Sequence, residues 1–152
     1  MNLKLARLIG VPYIGCASHR LNLAVKKWTE SVHYASLIEQ VQNLMISLKT
    51  AKNLSILRKH TRIKPEIRNV TRWSSTWSML DKFLSIQKLP KEEYDTATLN
   101  LFPNVAATEE IKKLTIELSY LNKLSIAIQS DTKNLAAIRL ILDRTPHSSS
   151  HF

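Results

Sequence analysis

The sequence predicts a mainly helical protein with at most one or two short strands near its start. Only two glycines and five prolines interrupt 152 residues, which leaves long stretches free to be helical. Apolar residues recur at three- and four-residue intervals over most of the chain, the spacing of one helix face. The one β-prone run, residues 11–14, ends at Gly15 and has no convincing partner strand. A length of 152 residues fits one domain, or one and a fraction, and an apolar share of 44% is ordinary for a globular protein and argues against wholesale disorder.

Taken in order, Leu3, Leu5, Ala6, Leu8 and Ile9 predict a short amphipathic helix over 2–9, stopped by Gly10 and Pro12. Over 17–28, Leu21, Ala24, Val25 and Trp28 share one helix face, with Lys26 and Lys27 in the last turn, where cations complement the helix dipole. The longest pattern runs over 34–60 through Leu37, Ile38, Val41, Leu44, Met45, Leu48, Ala51 and Leu57, and predicts one long helix. It should end before Pro65. Ser74 or Ser75 can cap the next helix, whose buried stripe is Trp77, Leu80, Phe83 and Leu84 and which Pro90 ends.

Residues 91–104 read as a surface loop or short helix carrying the acidic pair Glu92 and Glu93. Thr108 opens another helix, with Glu109 and Glu110 in its first turn and a core face of Ile111, Leu114, Leu118, Leu121, Leu124 and Ile128. Residues 130–134 form a turn, a shorter helix over 135–143 buries Ile138, Ile141 and Leu142, and 146–152 form a polar, disordered tail.

The net charge of +10 and the pI near 9.9 point toward a polyanionic partner. The charge belongs to one half of the chain: 15 basic against 4 acidic residues up to Lys88, then 7 against 8 from Leu89. Arg58, Lys59, Arg62, Lys64, Arg68 and Arg72 form a basic ramp, in which Glu66 is the sole acid between Lys49 and Arg72. A solvated lysine-rich face is the plain alternative. No apolar run suggests a signal peptide or a membrane span. A single cysteine cannot form an internal disulfide, which fits a reducing intracellular setting.

The ramp leads into Asn69-Val70-Thr71-Arg72-Trp73-Ser74-Ser75-Thr76-Trp77. Arginine suits phosphate or a base edge, and an indole face can stack on an unstacked base, worth roughly 1–3 kcal/mol. Trp73 reads equally well as a core anchor. Cys16 and His19 have the spacing of two zinc ligands, but no second pair follows to complete four, so they read as a buried structural pair. Glu39 and Asp81 lie on the polar sides of predicted helices, and no phosphate loop or nucleophile elbow occurs, so no active site and no cofactor are expected.

Two of these motifs, in this order, resemble the hAT (hobo/Activator) transposase superfamily. The segment holding Cys16, His19, Asn22 and Leu23 is similar to the family's Cys-x-x-His-x-x-Asn-Leu, and Thr71-Arg72-Trp73-Ser74-Ser75 to its Thr-Arg-Trp-x-Ser. Less specific likeness extends over residues 1–144. The resemblance implies a ribonuclease-H-like core interrupted by a helical insertion. It further implies that Trp73 matches a tryptophan stacking on a flipped base, supported by Arg72. The family's three metal-holding acids have no counterpart here: the second would precede Met1 and the third would lie beyond the insertion.

On this resemblance the chain is a catalytically incomplete internal fragment. Residues 1–30 are a remnant of the α/β core, 31–145 a helical insertion-type domain and 146–152 a tail. The implied partner is DNA, in the nucleus, with divalent metal needed only by a complete family member. The alternatives are a helical module that associates with itself or a host protein, and a non-functional transposon remnant.

Overall fold

The computed structural model describes residues 17–70 and 72–128. Their regular elements are all helices: α1 (Ala17–Thr29), α2 (Val32–Leu48), α3 (Ala51–His60), α4 (Trp73–Ile86), α5 (Thr96–Leu99) and α6 (Val105–Ile128). The mainly helical expectation holds. No strand occurs among the described residues, so the truncated ribonuclease-H-like α/β piece finds no support there. The features expected over 2–9, 11–14, 130–134, 135–143 and 146–152, and Cys16 itself, lie outside the described residues.

The core is built on α4. It packs against α6, α2 and α1, while α1 also touches α6, and α2 carries α3 and α5. Trp73, Thr76, Met79, Leu80, Phe83 and Ile86 are all buried on it. Ile38, Val41, Leu44, Met45 and Leu48 of α2 meet them from one side, and Ile111, Leu114 and Leu118 of α6 complete the cluster. A helix covered on two sides needs a wider apolar face than a surface helix. For this reason Met79 and Ile86 are buried, although the expected stripe omitted them, whereas Trp77 and Leu84 are only partly buried. Val25 of α1 joins the same cluster, so no separate core begins at residue 31. Ala24, expected on the inner face of α1, is exposed.

The single long helix expected over 34–60 is two helices, divided at Lys49 and Thr50. Thr50 takes an extended conformation (φ −60°, ψ 149°) and N-caps α3 by position. Its N–H and its hydroxyl both donate to the Ser47 carbonyl, at 3.1 and 2.8 Å. The Asn53 amide reaches the same carbonyl at 3.1 Å, and Thr98 Oγ1 of α5 at 3.0 Å. Ser47 Oγ and Thr98 Oγ1 lie 3.2 Å apart. Polar groups that capture a carbonyl in this way compete with the helix ladder. The apolar periodicity runs unbroken through the kink and cannot register it.

Caps elsewhere shift the expected starts. Asn104 Oδ1 accepts from the Ala107 N–H at 2.8 Å, so α6 starts at Val105 rather than Thr108. Glu109 and Glu110 then pair with Lys112 and Lys113 one turn on, at 2.5 and 2.9 Å. Asp95 caps α5 by accepting from the Thr98 N–H at 2.9 Å.

Asn53 is 4% exposed, and replacing it removes the amide donor that the buried Thr98 hydroxyl accepts from. Asn53→Ala is expected to lower unfolding stability by about 1–3 kcal/mol in urea titration. Thr50→Ala, at an exposed position, should cost less.

Candidate nucleic-acid interface

Residues 61–69 join α3 to α4 as an extended strap. Over 61–65 its side chains alternate, as a chain with one covered side requires: Ile63 and Pro65 are covered, while Arg62 and Lys64 are exposed, and 66–68 are all half-buried. Two side chains tie the strap down. Glu66 accepts from the Ser78 hydroxyl at 2.8 Å and is ion-paired with Lys82, both on α4. Arg68 Nε donates to Gln42 Oε1 of α2 at 2.8 Å. The strap therefore lies over the α2–α4 seam and runs back along α4 toward its first turn.

At that turn the Ser75 hydroxyl closes the loop. Its oxygen accepts from the Asn69 N–H at 2.7 Å, and its proton faces the carbonyls of Arg72 at 2.6 Å and Asn69 at 3.0 Å. The expected serine cap is replaced by this staple: α4 begins at Trp73, Arg72 occupies the N-cap position, and no side chain caps it. Ser75 thus serves the residues before the helix, not the free N–H groups within it.

The seven residues expected to meet DNA separate into different environments. Trp73 is 6% exposed and belongs to the core, so no base can stack on its indole while the core is closed. Of the two readings left open for Trp73, the core anchor describes this conformation. The neighbouring Arg72 is exposed. Arg68 is half-buried and occupied by Gln42. Lys59 is paired with Glu93, which His60 Nε2 also approaches at 3.8 Å. Arg58, Arg62 and Lys64 are exposed and have no carboxylate partner among the described residues.

The composition alone could not separate these cations, because their acidic partners lie far along the chain. Lys52, in the same basic run, is held by Asp95 at 3.1 Å. Its salt bridge, together with the Thr98 N–H and hydroxyl as the larger causes, lowers the Asp95 carboxyl to about 2. Glu93 is held below its ordinary range chiefly by Lys59, and Glu66 chiefly by Lys82, with Ser78 and the field of Lys49 adding to it.

Of the upstream motif, His19 and Asn22 lie on α1. His19 is exposed, which corrects the expected buried Cys16–His19 pair on the histidine side, and Asn22 is half-buried. Among the described residues no group of three or more His, Cys, Asp or Glu side chains is placed to hold a metal ion. None of the described helices is long and apolar enough to cross a membrane.

No family model, curated protein or solved structure matches the chain.

Two outcomes are expected. Trp73→Ala should reduce stability by roughly 3–5 kcal/mol, as removal of a buried aromatic does, and Trp73→Phe by less, both read from urea unfolding. Glu66, with its folded pKa depressed, contributes stability above the ordinary carboxylate range that is lost as pH falls through its lowered folded value. Glu66→Gln should therefore flatten the acid limb of the stability–pH curve, and an unchanged limb would show that the strap is held without this pair.

Proposed function

We propose that the chain is of hAT-transposase type and binds nucleic acid weakly through its phosphate backbone, in the nucleus. The contact surface is the exposed end of α3 and the outer side of the strap: Arg58, Arg62 and Lys64, with Arg72 at the start of α4. The observation that supports this reading is their lack of compensation. Exposed cations without carboxylate neighbours keep their full attraction for phosphate, and each contact releases a counterion from the polyanion. The likeness of the Cys16–His19 and Arg72–Trp73 segments to the family supports the transposase origin. Trp73 contributes by fixing the first turn of α4, and so the place of Arg72, rather than by stacking.

A second reading is favoured by a different observation. Ile116, Tyr120 and Ile126 of α6 are exposed, at 57%, 58% and 63%. Apolar groups left in water at such positions suit a helical module that associates with itself or with a host protein.

A salt titration of labelled duplex DNA against the protein separates the two. The binding constant is expected to fall steeply with salt, and Arg58→Ala, Arg62→Ala and Lys64→Ala together should lower the log–log slope by about 0.9 per lost phosphate contact. Equal binding by the triple variant, or none by the parent at low salt, would remove the nucleic-acid reading. Concentration-dependent sedimentation abolished by Tyr120→Ser would favour the second.

A further inference from the structure

The connection from α4 to α6 carries its own anions to the basic helix. Tyr94 is 7% exposed and packs into the core beside Phe102, with ring centroids 6.1 Å apart. Its neighbours on either side, Glu93 and Asp95, are exposed. A buried anchor between two exposed acids fixes where both carboxylates emerge. They emerge against α3: Glu93 on Lys59 and near His60, Asp95 on Lys52. Lys52 and Lys59 are seven residues apart, two turns of one helix face. The Thr98–Asn53 bond docks the same connection on the buried edge of α3.

We propose that Glu93 and Asp95 stand on α3 in the place of nucleic-acid phosphates, masking Lys52 and Lys59 and confining the interface to Arg58, Arg62, Lys64 and Arg72. This rests on the nucleic-acid reading above and specifies how much of the basic surface that reading uses. The pairs are solvent-exposed, the class of ion pair that is weakly held and screened by salt. The backbone beneath them is held separately, by Tyr94 and by Thr98. The exposed Lys52 and Lys59 side chains can therefore swing from these carboxylates to phosphate without the connection leaving the core. Masking of this kind sets a low resting affinity.

The test is the same duplex-DNA salt titration on the full chain. Glu93→Gln with Asp95→Asn removes both charges, and Asn keeps the acceptor that caps α5. This double variant should bind more tightly at low salt, with a slope steeper by about 0.9 for each lysine released. Adding Lys52→Gln and Lys59→Gln to it should restore the parent slope. Glu39→Gln with Asp81→Asn makes the same change in net charge at exposed acids that hold no lysine, and should leave the slope near that of the parent.

A double variant whose slope matches the parent, or only matches the Glu39/Asp81 control, overturns the masking while leaving the parent's own DNA binding intact. Loss of binding in the Arg58/Arg62/Lys64 triple variant bears on the underlying reading alone. If the parent does not bind but the double variant does, and the added lysine changes abolish it, the masking stands on α3 while the Arg58, Arg62 and Lys64 surface proposed above falls. If neither binds at low salt, both fall.

Discussion

Because α4 is covered by α2 on one side and by α6 on another, its rotation about its own axis is set by burial from both directions at once. Met79, Leu80 and Phe83 are fully enclosed, and Trp73 and Thr76 extend the buried face to the first turn. The chain before the helix must then arrive with Trp73 pointing inward. That requirement shapes the strap: Ser75 closes the loop, and Glu66 lies along α4. With Ile63 and Pro65 against the core, the alternation leaves Arg62 and Lys64 no direction but outward. The exposed cations are a consequence of packing one helix on two sides.

The same dependence governs charge. A net positive charge attracts a polyanion only through the groups that internal carboxylates leave uncompensated. Here Glu93 and Asp95 fold back onto α3, and Glu66 turns from the ramp to Lys82 on α4. The region of highest charge density in the sequence is therefore not uniformly basic on the surface. Among the described residues, Arg58, Arg62 and Lys64, which have no carboxylate partner, lie where the chain passes from α3 into the strap.

Much of the fold was legible in the residues themselves. The faces of α2 and α6 follow their apolar spacing, and Val25, Ile38, Leu44, Leu114 and Leu118 are buried where that spacing puts them. The kink at Lys49 and Thr50 was not legible. It rests on Thr50 and Asn53 turning to the Ser47 carbonyl, and a periodicity that reads only apolar side chains carries no record of those polar bonds. The starts of α4 and α6 were misplaced for a related reason. Ser75 and Thr108 are good cap residues by type, but both hydroxyls donate to carbonyls preceding them, and Asn104 took the cap of α6.

By itself the sequence determined the helical class, the concentration of positive charge in the first half and the place where the arginine–tryptophan motif interrupts the helices. These depend on composition and on spacing within a few turns, which are local properties. Only the tertiary structure decided that the indole of Trp73 faces the core, and that Lys52 and Lys59 are matched by Asp95 and Glu93 while Arg58, Arg62 and Lys64 are not. The reason is physical. Burial and ion pairing are set by which distant residues share a surface, and here α4 and the connection that follows it bring those residues together.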